Sequence, residues 1–174
     1  MSSSLERIAL LGLGSNVGDR RANLQAAVDG LRGAGATVHA CSSTYDTDPV
    51  GEVLDQPSFL NACVLARTAL VPLELLDAVK ALERELGRAV DGVRHGPRVI
   101  DIDILLVGDE RVSEERMSLP HQQLLTRRFV LIPALELDFS LATPDGTRLA
   151  DALAALGLEE GVRWAGPALL VPAG

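Results

Sequence analysis

The chain has 174 residues, 47% of them apolar, and a formal net charge of −8. That length suits one domain with a real core, and that apolar content excludes a disordered chain. The charge argues against long-range capture of nucleic acid, no apolar run reaches a membrane span, and the start lacks a signal peptide's basic and apolar stretches. A cytoplasmic, soluble protein without nucleic-acid or membrane partners is therefore expected; small-molecule partners and a monomeric state are further expectations. Cys41 and Cys63 lie in separate apolar runs and read as buried small hydrophobes, not as a disulfide or metal pair.

Arg7 to Leu13 reads as a first strand. The segment Gly12-Leu13-Gly14-Ser15-Asn16-Val17-Gly18 spaces its last glycine one residue too far for a dinucleotide fingerprint, and no Gly-Lys-Ser/Thr follows for a P-loop. It reads as a tight strand-to-helix connection needing positive φ. Leu24, Ala27, Val28 and Leu31 predict an amphipathic helix from Asp19 to Arg32, stopped by Gly33 and Gly35. Thr37 to Tyr45 is a second strand, Thr47 to Ser58 a long loop, and Phe59 to Thr68 a third strand. Pro72 opens a second helix with Leu75, Val79, Leu82 and Leu86 on one face, and Gly87 stops it.

Arg88 to Arg98 is another long loop; such loops serve as lids. The next strand carries Asp101 and Asp103 and ends near Val107, and Gly108 to Glu110 is a turn. A helical turn over Pro120 to Leu125 and a closing helix over Leu149 to Leu156 follow. The order β-α-β-β-α-β predicts an α+β, ferredoxin-like core: a mainly antiparallel sheet with its two main helices on one face. One domain is expected over 1–174, with its core over residues 6–156 and a tail after Gly157 docked by Trp164.

The chemistry concentrates around residue 100. A strand alternates its side chains, so Asp101 and Asp103 share one face, roughly 6–7 Å apart along the strand, while Ile100, Ile102 and Ile104 face a core. Two like charges so placed call for a cation, and Mg²⁺ suits oxygen ligands completed by phosphates. Two ions held by such a pair serve phosphoryl transfer. Arg88, Arg94 and Arg98, just upstream, suit a polyphosphate. On residues alone, a palm-like nucleotidyltransferase and a non-catalytic small-molecule-binding domain of this fold stay open.

The string Arg94-x-Gly96-Pro97-Arg98-x-x-Asp101-Ile102-Asp103-Ile104-Leu105 resembles the signature of the 6-hydroxymethyl-7,8-dihydropterin pyrophosphokinase family, and related pieces run from Leu10 to about Arg148. The resemblance implies transfer of diphosphate from ATP to the pterin hydroxyl, releasing AMP, in folate biosynthesis. It implies two Mg²⁺ on Asp101 and Asp103, with Arg88 and Arg98 moving in on a loop as catalytic groups. Thr47, Val50, Phe59, Asn61 and Phe129 would hold the pterin, the two phenylalanines by stacking on its ring. Leu76, Lys80, Glu83, Ile104, Arg116, Ser118, His121 and Arg127, together with Arg88 and Arg98, would line the ATP side; Arg128 reads as solvated. Ile104 would contact the nucleotide through its backbone. Asp91 and His95 stand where relatives often carry lysine and tryptophan.

Overall fold

The computed structural model describes residues 5–48, 57–87 and 99–174. Strand β1 (Arg7–Ser15) passes through a turn with Gly18 at φ 72° into helix α1 (Arg20–Gly30). The Asp19 carboxylate accepts the Ala22 N–H at 3.1 Å and caps that helix. A short 3-10 turn (Arg32–Ala34) and Gly35, at φ 87°, end it.

The expected second strand comes in two pieces, β2 (Ala36–Cys41) and β3 (Thr44–Thr47), both antiparallel to β4 (Phe59–Thr68). The break falls where the Ser42 hydroxyl accepts the Cys63 N–H at 2.9 Å. A side chain thus takes over one ladder bond. Helix α2 (Pro72–Glu85) has Pro72 in its first turn and Gly87 just beyond its end at φ 101°. Strand β5 (Asp101–Val107), the short hairpin β6 (Val112–Ser113) and β7 (Ser118–Leu119), helix α3 (Arg128–Leu137), helix α4 (Leu149–Ala155) and strand β8 (Val162–Gly166) complete the chain.

The main sheet runs β5-β1-β4-β3-β8, with β2 also on β4, and every pair is antiparallel. Its first four positions have the ferredoxin-like order, as expected. One face packs Ala9, Leu11, Leu13, Ile102 and Ile104 against Leu24, Val28, Leu75 and Val79 of α1 and α2. The other packs Leu10, Cys63, Leu65 and Leu105 against Leu131, Ala134 and Leu149 of α3 and α4. No helix among the described residues is long and apolar enough to cross a membrane.

Three local readings are corrected. Gly12 and Gly14 lie inside β1, and of this glycine cluster only Gly18 has positive φ. The segment after Gly157 is no simple tail: β8 pairs with β3 and extends the main sheet. Trp164 does not dock it, being 64% exposed; Leu169, 3% exposed, is what enters the core. Helix α3, for which the sequence offered no element, contains Pro133 in its second turn, which removes one N–H donor without ending the helix.

Candidate active site

The site face of the sheet is set by strand register. Gly14 lies opposite Asp101 on β5 and opposite Asn61 on β4; Gly12 lies opposite Asp103 and Cys63. These two rungs therefore read acid, glycine, partner. With no side chains on β1, the space between acids and partners stays open and forms the floor of a cleft of about 380 Å³, within the usual range for small-molecule pockets. Asp101, Asp103, Thr47, Phe59, Asn61, Phe129, Lys80 and His121 all line it. A Cβ on Gly14 would lie 3.0 Å from Asn61 Oδ1, so the floor is close-fitting as well as bare.

Asp101 and Asp103 are half-buried and face this cleft, while Ile100, Ile102 and Ile104 are buried. The expected alternation holds. On the opposite wall the Asn61 Nδ2 donates to Thr47 Oγ1 at 2.6 Å. One amide hydrogen is used; the other, with Oδ1, remains for a flat donor–acceptor edge. Phe59 and Phe129 reach the same cleft from β4 and α3. Helix α3 is tied to the sheet by Tyr45, whose hydroxyl donates to Glu136 Oε1 at 2.6 Å, and by Ser43, whose N–H and hydroxyl both donate to Oε2 at 2.9 Å. Burial and that bond to Glu136 push the Tyr45 hydroxyl well above the usual phenol range.

A second recess of about 270 Å³ adjoins the first along the edge strand β5. Asp103, Lys80, His121 and Gln122 line both recesses, and Leu76, Lys80, Ile104, Arg116, Ser118 and His121 line the second. These are six of the residues assigned to the nucleotide. Ile104 is 5% exposed in the α1–α2 core, in keeping with a backbone role at a strand edge. Arg116 pairs with Asp77, which ties the hairpin to α2.

Glu83 and Arg127, also assigned to the nucleotide, line neither recess. Glu83 is buried behind the site: Oε1 accepts the Ile102 N–H at 2.7 Å, and the Lys80 ammonium lies 3.3 Å from Oε2. It holds the backbone between the two acids and aims Lys80 at the junction of the recesses. The Nε atoms of Arg127 and Arg128 are buried without a hydrogen-bond partner among the described residues. Arg128, read as solvated, is half-buried as a residue, with its Nε out of solvent. Val50, Arg88, Asp91, Arg94, His95 and Arg98 lie outside the described residues.

His121 is held by its own N–H, which donates to Leu105 O at 3.0 Å. Burial lowers its pKa, against a smaller opposing effect of Asp101. Its Nδ1 accepts the Gln123 N–H at 3.1 Å. In the neutral ring, which burial favours, the proton then sits on Nε2, making His121 a hydrogen-bond donor. Among the described residues no group of three or more His, Cys, Asp or Glu could hold a metal ion. The sequence reading missed the floor role of Gly12 and Gly14. Their spacing of two inside an apolar strand was the available signal, since it puts both on one face.

The ferredoxin-like sheet thus carries two adjoining recesses that share Asp103, with Asp101 beside it in the first. The chain belongs to the 7,8-dihydro-6-hydroxymethylpterin-pyrophosphokinase (HPPK) family, whose model matches residues 10–139. It is 42% identical over 150 residues to the 2-amino-4-hydroxy-6-hydroxymethyldihydropteridine pyrophosphokinase of Pseudomonas aeruginosa, covering 86% of this chain and 91% of that one. It is 44% identical over 134 residues to the mitochondrial folate synthesis bifunctional protein of Arabidopsis thaliana, covering 77% of this chain but 24% of the plant protein. The chain thus spans about a quarter of that bifunctional relative. The fold is shared with Plasmodium falciparum HPPK-DHPS crystallised with pteroate, at a TM-score of 0.69 and 14% identity, covering 88% of this chain and 45% of that one.

Proposed function

We propose that this chain transfers the β,γ-diphosphoryl group of ATP, as one unit, to the hydroxyl of 6-hydroxymethyl-7,8-dihydropterin in folate biosynthesis. The pterin oxygen forms a bond to the β-phosphorus and loses its proton. The bond from that phosphorus to the α,β-bridging oxygen breaks, and AMP leaves. One observation carries the reading: Asn61 and Asp101 flank the same bare Gly14. Two strand spacings, roughly 10 Å, therefore separate a pterin-reading amide from a phosphate-side acid.

The residues divide the work by position. Asn61 and Thr47 take the pterin edge, and Phe59 and Phe129 take its faces. The recess beside β5 takes ATP, with Lys80 and the His121 Nε2–H aimed at its phosphates. Arg88 and Arg98 complete the neutralisation of phosphate charge, an assignment that rests on the resemblance. Arg127 is assigned to ATP on the same basis. Asp101 and Asp103 suit two Mg²⁺ ions, because an oxygen-only pair leaves most coordination positions for phosphate and water. Magnesium bound there supplies charge neutralisation and lowers the pKa of the attacking hydroxyl. Catalysis is then mainly positioning and electrostatics, with no covalent protein intermediate.

We further read the chain as one domain, acting as a monomer in the cytoplasm; its two unpaired cysteines suit a reducing compartment. The test is incubation with ATP, Mg²⁺ and the dihydropterin. AMP and the pterin diphosphate are expected in equal amounts. Release of inorganic pyrophosphate without AMP would replace this reading with nucleotidyl transfer.

A further inference from the structure

We propose that the C-terminal arm, residues 157–170, positions the pterin half of the cleft, with Glu160 setting Phe129. The inference rests on the reading of that half as the pterin site. The arm lies outside the span matched by the family model, which ends at residue 139.

The argument starts from the first turn of α3. Its N-cap, Arg127, supplies no side-chain acceptor, so the first N–H groups of the helix depend on outside partners. Phe129 is the second residue of that turn. In an uninterrupted helix its carbonyl would accept the N–H of residue 133, but that residue is Pro133 and has none. The turn that aims the Phe129 ring is thus short of a bond at both ends. Glu160 supplies one from outside: Oε1 accepts the Phe129 N–H at 2.9 Å. A carboxylate at a helix N-terminus also complements the helix dipole.

The same arm touches the opposite wall of the cleft. The Asp48 N–H donates to Gly161 O at 3.4 Å, and Arg163 Nη2 donates to Asp48 Oδ1 at 3.3 Å. Asp48 lines the cleft next to Thr47. A Cβ at Gly161 would lie 2.6 Å from Asp48 Oδ2, so a side chain there would push that carboxylate aside. Beyond Gly161 the arm is anchored to the sheet and to α1. Strand β8 pairs with β3, and Leu169 is buried with its N–H donated to Ser42 O at 3.2 Å. The guanidinium of Arg21 donates to Pro167 O and Ala168 O at 2.9 and 3.2 Å. Residues 160 and 161 are therefore held by a strap fixed to the sheet and to α1. That strap contacts both sides of the pterin half, at Phe129 and at Asp48, and among the described residues it does not line the nucleotide recess.

The test uses the full chain. AMP release is followed with dihydropterin varied at saturating ATP, then with ATP varied at saturating dihydropterin. Glu160→Ala is expected to raise the dihydropterin KM about tenfold and to leave the ATP KM within about twofold, because only an acceptor for Phe129 is lost. Glu160→Gln keeps an acceptor oxygen and should recover most of the loss. Glu159→Ala, at the exposed neighbour, should match wild type. Gly161→Ala should raise the dihydropterin KM selectively by displacing Asp48. If Glu160→Ala does not fold, Gly161→Ala decides. An unchanged dihydropterin KM, or an equal rise in both KM values, overturns the positioning role while wild-type turnover leaves the pterin reading standing. A wild-type protein that releases no AMP with dihydropterin overturns the pterin reading, and the positioning role with it.

Discussion

On the α1–α2 face of the sheet, β1 contributes Ala9, Leu11 and Leu13, all at most 2% exposed. On the opposite face the same strand contributes Gly12 and Gly14, which have no side chains. Strand β5 divides the same way, with Ile102 and Ile104 in the core and Asp101 and Asp103 toward the cleft. Strand β4 gives Ala62 and Val64 to one face and Asn61 and Cys63 to the other. Period-two alternation thus separates stability from chemistry within single strands. One face is filled, and the other is kept empty where a ligand must lie.

If that division holds, adjacent substitutions should fail in different ways. Asp103→Ala should lower AMP release about a thousandfold or more, since it removes half of the acid pair, with the thermal midpoint kept or raised. Near-normal turnover would show that the pair is not the metal site. Leu11→Ala, one residue from the cleft floor, should cost about 2–5 kcal/mol in urea unfolding because it leaves a cavity in the α1–α2 core. Its turnover per folded molecule should stay close to wild type. A drop in turnover without a loss of stability would break the comparison.

The features legible in the sequence are those written in local pattern. The Asp101–Asp103 alternation, the Pro72 start and Gly87 stop of α2, and the strand from Phe59 to Thr68 all appear as read. What escaped depends on contacts distant in sequence. Ser42 breaks the second strand through a bond to Cys63, and Glu160 supports α3 across 31 positions. Glu83 has a helical spacing with Lys80 that suggests a shared ligand face. Only the edge position of β5 shows that its carboxylate is spent on the Ile102 N–H.

A finer probe is Gly14→Ala, which adds one methyl to the bare floor. The new Cβ would lie 3.0 Å from Asn61 Oδ1, tight enough that the amide must give way. The expected result is a rise of about tenfold in the dihydropterin KM, the scale of one disturbed hydrogen bond, with the ATP KM little changed. A larger effect on ATP would mean that the nucleotide, not the pterin, crosses Gly14.

The two cysteines offer the mildest test, because they sit on opposite faces: Cys41 packs against the α1–α2 core, and Cys63 lies under the cleft. Burial, then Asp29, raises the Cys41 thiol from 9.0 to about 11. Burial, then Asp103 and Glu136, raises Cys63 further. A thiol whose folded pKa lies above its unfolded value contributes its full stability below the unfolded pKa and loses it as pH rises through the folded one. The urea midpoint should therefore decline from about pH 9 upward, and less steeply in Cys41→Ala. At pH 8 the folded protein should react with iodoacetamide far more slowly than the unfolded chain, since only the thiolate attacks. Partly exposed Cys41 should be labelled before buried Cys63. Bound ATP and dihydropterin should slow the labelling of Cys63 and leave Cys41 unchanged. Labelling of Cys63 first, or equal protection of both, would show that the cleft floor opens in solution and that the two faces are less separate than their packing indicates.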